Sequence, residues 1–201
     1  MQTNGNLNSS AKIGRLALSA MILLAASLVQ AQIQDRPKAG PELKKLEMFV
    51  GDWKYAGSVS DTPLGPGGKF AGTATNRMIL DGLFLEIKGQ DKGVYGGKEI
   101  VYKGLTIRRY DSTSKNYLSQ TFDNDGMVAT EVWALEGRTW KTTGTMTDSK
   151  GKTYQTRSSA TFSADGATLT FKAELLADDG KTWLPYWEDT NTRFNKGNER
   201  R

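Results

Sequence analysis

From Trp53 onward, apolar and polar residues alternate with a period of two, in short runs that each stop at Asp, Asn or Gly. That period puts successive side chains on opposite faces of a strand. Ten runs satisfy it, at about residues 53–60, 69–80, 83–88, 99–110, 116–122, 127–135, 139–146, 153–162, 168–175 and 183–194. Their connections are tight: Asp81-Gly82, Asp123 to Gly126, Glu136-Gly137, Asp148 to Gly151, Ala164 to Gly166 and Asp178 to Gly180. Asp, Asn and Gly suit hairpin turns because the central residues often need positive φ. Ahead of the first run the period changes. Pro41 opens a segment in which Leu43, Leu46, Phe49 and Val50 share one face at three-to-four spacing, Glu42 suits the positive N-terminal end, and Gly51 stops it. A short helix is expected there.

Hairpin-linked strands without a crossover helix imply an all-β, antiparallel up-and-down meander. A meander of about ten strands removes its exposed edges by closing into a barrel, with an open two-sheet sandwich as the alternative. Residues 41–195 therefore read as a single β-barrel domain preceded by a short N-terminal helix. Residues 32–40 read as a flexible leader and 196–201 as a polar tail.

Residues 1–31 read as an export signal. Lys12 and Arg15 precede an uncharged stretch, residues 16–29, and Val29 and Ala31 stand where a signal peptidase reads small or apolar side chains. The stretch is shorter than the roughly 20 residues a spanning helix needs. Cleavage after Ala31, a periplasmic or extracellular product and no stable membrane anchor are the expectations. Loss of Lys12 and Arg15 takes the net charge from +5 to +3, too mild for a nucleic-acid partner.

Absences narrow the chemistry. With no histidine and no cysteine, a Ser-His-Asp triad, thiolate catalysis, histidine-ligated zinc and haem with a histidine ligand are excluded. No cofactor or metal is expected. Asp123-Asn124-Asp125-Gly126 lacks the glycine placement of a calcium loop and reads as a turn. Asp178-Asp179-Gly180-Lys181-Thr182-Trp183 resembles the Asp-box, itself a hairpin device. Gly65-Pro66-Gly67-Gly68 lacks the ending of a phosphate loop.

Several segments in order carry a resemblance: Phe49-Val50-Gly51-Asp52-Trp53 after the short helix, the Leu80-Asp81-Gly82-Leu83 turn, Gly180-Lys181-Thr182-Trp183, and Asn191-Thr192-Arg193-Phe194. Together they resemble the calycin superfamily, the lipocalins and fatty-acid-binding proteins, and within it a family of exported bacterial proteins catalogued as a domain of unknown function. The resemblance spans about residues 41–195. It implies a barrel with one end plugged by Trp53 and Arg193 packed over that ring, which makes Gly51, Trp53 and Arg193 fold residues. It also implies a ligand-holding interior.

The later strands fit such an interior. Trp140, Thr142, Gly144 and Met146 form one face; Tyr154, Thr156, Ser158, Ala160 and Phe162 form the next; Leu169, Phe171, Ala173 and Leu175 follow. A solid core would use bulky aliphatic groups at nearly every inward position. Small and hydroxylated positions imply a cavity with polar anchors, unless the other strands fill the space. Glu131 shares a face with Met127, Ala129, Trp133 and Leu135, but the opposite face is equally apolar, so periodicity leaves its direction open. Inward, it must be paired or protonated. Arg108 and Arg109 are adjacent, so one points in, to pair with Glu131, hold a ligand carboxylate or cap the rim. The candidate ligand-binding residues are Arg108, Glu131, Trp140, Thr142, Tyr154, Thr156, Ser158 and Phe171, and no catalytic residue is assigned. Three functions fit: an exported non-catalytic binding protein for a small apolar or amphipathic ligand, a closed-barrel structural or interaction module of the cell envelope, and an acid–base enzyme using Glu131, Arg108 and Tyr154.

Overall fold

The computed structural model describes residues 38–194. Residues 1–31, read as an export signal, residues 32–37 of the expected leader, residue 195 and the expected tail 196–201 lie outside the described residues. The chain enters through α1 (Pro41–Lys44) and a 3-10 segment (Lys45–Phe49). One continuous α-helix was expected; its second half is instead wound more tightly. The Val50 N–H closes on the Glu47 carbonyl at 3.0 Å, an i to i+3 bond that ends the helical segment in a short space.

Ten strands follow: β1 (Gly51–Val59), β2 (Gly68–Ile79), β3 (Phe84–Tyr95), β4 (Lys98–Asp111), β5 (Asn116–Asp123), β6 (Val128–Glu136), β7 (Thr139–Thr147), β8 (Thr153–Phe162), β9 (Thr168–Leu176) and β10 (Trp183–Phe194). Each pairs antiparallel with the next, and β10 returns to pair with β1, so the sheet closes into a barrel. The turns behave as their Asp residues dictate. The Asp123 carboxylate accepts the N–H groups of Asp125 and Met127, and Asp179 accepts those of Lys181 and Thr182. The boundary that departs most from expectation is that of β3, which continues seven residues past Lys88.

The helical segment plugs one end. Leu43, Leu46 and Phe49 are buried against Trp53, Trp133, Trp140, Ala160 and Phe162. A helix leaves its last carbonyls unpaired, and here barrel side chains take three in a row. Arg193 donates to Met48 O at 2.9 Å and to Val50 O. Trp53 Nε1 and Asn76 Nδ2 each donate to Phe49 O at 2.8 Å. The Arg193 guanidinium lies 4.4 Å from the Trp53 ring centre, a cation–π contact. At the other end Met146, Tyr154 and Leu175 form a second cluster, with Leu64 of the β1–β2 connection packed against it.

Gly51 joins plug to barrel at φ +137, and a Cβ there would sit 2.9 Å from Arg193 Nη1. Both backbone and neighbour disfavour a side chain. Gly51→Ala is expected to lower the unfolding free energy by about 1–3 kcal/mol, read from urea midpoints; an unchanged midpoint contradicts this account of the junction.

Candidate functional site

Part of the inward wall at the middle of the barrel is less buried than the plug, although Ser119 and Thr142 on the same wall are 2% and 4% exposed. Ile87, Thr106, Thr121, Ala129, Thr156 and Phe171 all face in by alternation, yet each is only half-buried. Shallow depressions also exist on the outer wall, over β1, β2 and β10 and over β2 to β4. They carry no convergent set of anchors. The interior belt does, because polar groups bound it on two sides.

The first set is a register row. Arg108 on β4 pairs with Ser119 on β5, Ser119 with Glu131 on β6, Glu131 with Gly144 on β7, and Gly144 with Thr156 on β8. Arg108 is the inward arginine, 3% exposed, whereas Arg109 is exposed and pairs with Asp111 at 3.3 Å. Glu131 faces in with Trp133, and Val128 and Val132 are exposed on the outer wall. The Arg108 guanidinium is stacked 3.6 Å from the Trp133 ring centre and 4.8 Å from that of Phe49. Such rings hold a desolvated cation, but they accept few hydrogen bonds. Arg108 Nε and Nη1, Ser119 Oγ and Thr156 Oγ1 are buried without a hydrogen-bond partner among the described residues. Burial lowers the Arg108 pKa to about 10, against the pull of Glu131. Burial also raises that of Glu131, opposed by Arg108 and by the Trp133 indole, whose Nε1 donates to Glu131 Oε2 at 3.1 Å. Gly144 is required beside this carboxylate, since a Cβ there would lie 2.2 Å from Thr130 O and 2.8 Å from Glu131 Cα.

Of the residues singled out by the alternation, Thr142 and Ser158 share a hydroxyl hydrogen bond of 2.6 Å next to this row, and Phe171 lines the belt from β9. Trp140 is elsewhere: it is fully buried in the plug, its Nε1 directed at Met48 Sδ. Tyr154 belongs to the opposite cluster with Met146 and Leu175. The structure therefore groups Arg108, Glu131, Thr142, Thr156 and Ser158, and it does not bring Tyr154 to Glu131 and Arg108.

A second polar set was not read from the sequence. Asp91 on β3 and Asp189 on β10 are 7% and 8% exposed. The Tyr55 hydroxyl donates to Asp91 Oδ2 at 3.2 Å, and Trp187 Nε1 donates to Asp189 Oδ2 at 2.6 Å. Asn191 Nδ2 donates to Asp189 Oδ1. Burial raises the pKa of Asp91 and takes that of Asp189 to about 6, with Asp91 adding to the rise. Asp189 shares the face of Arg193, four residues on, and that parity was the available signal.

Residues 38–190 match the model of the family described as "Protein of unknown function (DUF1579)". The chain belongs to this family. Among solved structures, that of Rv2717c from M. tuberculosis aligns with a TM-score of 0.58 at 14% identity, over 79% of this chain and 100% of that one; at this identity the likeness is one of fold. A de novo designed fluorescence-activating β-barrel aligns at 13% identity over 74% of this chain and 95% of its own, with a TM-score of 0.38. A search of curated proteins gives no match.

Proposed function

We propose that this DUF1579 chain is an exported, non-catalytic binding protein that holds a small amphipathic molecule inside the barrel. The observation that carries the reading is the row of unpartnered buried donors, Arg108, Ser119 and Thr156, along a belt of inward but half-buried side chains. Unpaired polar groups in a low-dielectric interior are costly. A guest carboxylate or hydroxyl offsets that cost, while Ile87 and Phe171 cover its apolar part. The calycin-like plug supports the reading as an analogy of fold. The uncharged run at residues 16–29 supports export.

Octanoate is the simplest probe. Isothermal titration at pH 7 is expected to show saturable uptake, weakened about tenfold or more in Arg108→Met. Ala173→Trp, which fills the belt from β9, is expected to abolish uptake with little loss of stability. Over-packing a solid core costs about 1–3 kcal/mol, so a penalty of that size with no uptake by the wild type contradicts the binding reading. A second reading, an interaction module, draws on the exposed Phe122, Val128 and Val132 of the outer wall. Its signature is a barrel that takes no guest and whose self-association is lost in Phe122→Lys.

A further inference from the structure

We propose that Asp91 and Asp189, with the rings of Tyr55, Phe70 and Trp187, form a subsite for an organic cation, specifically the ammonium head of an alkylamine. The inference rests on the belt being hollow, as the proposed function does, but it stands on different residues.

Asp91 and Asp189 arrive from strands on either side of β1 and β2, and their neighbours leave room for them. A Cβ at Gly57 would lie 2.7 Å from Asp189 Cβ, and one at Gly72 would lie 2.6 Å from Asp91 Cβ. Among the described residues neither aspartate forms an ion pair with a lysine or arginine. Tyr55 and Tyr95 act on Asp91, and Trp187, Asn191 and Asp91 itself act on Asp189. Two buried acids without a counter-charge favour either protonation or a cationic guest.

Hydrogen bonding leaves the acceptors incomplete. Among the described residues Asp91 Oδ1 has no partner within hydrogen-bond geometry, and the donor that acts on Asp91 besides Tyr55 is the Tyr95 hydroxyl, 6% exposed and equally short of a formed bond. The Tyr95 ring folds back along its strand over Gly93, where a Cβ would meet its hydroxyl oxygen at 2.7 Å. This tyrosine therefore points up the barrel wall toward Asp91, two inward positions away, rather than out of the mouth. Its hydroxyl pKa is pushed up by burial and by Asp91.

Aromatic faces complete the set. Phe70 and Trp187 have ring centres 4.2 Å apart, and Tyr55 meets Phe70 at 6.1 Å. Tyr55 and Trp187 are only half-buried. Carboxylates behind aromatic rings are what an ammonium group selects. A metal ion asks for more: among the described residues no group of three or more acidic side chains converges to hold one.

The test compares octylammonium, octanol and octanoate by isothermal titration against the folded barrel, in the wild type and in Asp189→Asn, at pH 7 and pH 5. At pH 7 octylammonium is expected to bind at least about tenfold more tightly than octanol. At pH 5 an acid with a pKa of about 6 is only about one-tenth ionised while the amine keeps its charge, so the preference should fall about tenfold. Asp189→Asn should lose it at both pH values while keeping its cooperative melt. Octylammonium binding no better than octanol, or a preference indifferent to pH and to Asp189→Asn, overturns the subsite. If octanoate binds and octylammonium does not, the subsite fails and the binding function stands. If none of the three binds, both fail.

Discussion

Replacing Trp53 by alanine is expected to cost about 3–5 kcal/mol of unfolding free energy, the range for deleting a large aromatic side chain from a packed core. The indole is 1% exposed, packs edge-on to Phe162 at 6.2 Å, and sits under the Arg193 guanidinium. Its loss also removes one of the two donors to Phe49 O. Trp53→Phe keeps most of the ring and loses the N–H, so its cost should be near the ~1 kcal/mol of one hydrogen bond plus a small cavity. Urea unfolding of both variants checks the pair. A cost below about 1 kcal/mol for Trp53→Ala would show that the plug does not hold this barrel end.

The second large effect is a pH dependence centred on Asp189. Its unfolded pKa is near 3.9 and its folded value about 6. Between them the folded chain holds a proton that the unfolded chain has released. Stability from this group is therefore greatest below about pH 4, falls as pH rises toward 6, and is level above that, a loss of about 3 kcal/mol. Asp91, raised by burial, acts in the same direction. Asp111, Asp165 and Asp179, lowered by hydrogen bonds at the turns, act oppositely as pH falls. The clean readout is thus the difference between wild type and Asp189→Asn. The variant is expected to be the more stable at pH 7, with the difference shrinking toward pH 4. Equal stability at pH 7 would mean that the carboxylate is not penalised by burial.

The barrel was legible because its turns announce themselves and its strands keep a period of two. Trp53 under Arg193 was expected from the resemblance carried by Phe49 to Trp53 and Asn191 to Phe194, and the guanidinium does lie 4.4 Å from that ring. What failed was β3 beyond Lys88. Gly89, Asp91 and Gly93 occupy its inward positions, and three small or charged residues there carry no apolar signal. Gly93 is needed because the Tyr95 ring lies over it, a contact that periodicity cannot register. On β10 a register shift between Pro185 and Trp187 breaks the alternation, so a count from the inward Leu184 puts Asp189 on the wrong face. Glu131 had apolar residues on both faces. Its direction is set by Trp133, which joins the plug, while Val128 and Val132 stay on the outer wall. The helix was placed correctly, but its 3-10 half follows from barrel side chains capping residues 48–50, which lie far away in the chain.

The proposed function requires a guest in the middle of the barrel. Native mass spectrometry of the protein purified from its own source tests this most directly, with the native mass set against that of the denatured chain, for the wild type and for Ala173→Trp. Additional mass is expected on the wild type, released on denaturation and absent from Ala173→Trp. A bare chain mass for both, unchanged after incubation with lipid and metabolite extract, would contradict that function and leave the barrel as a closed module.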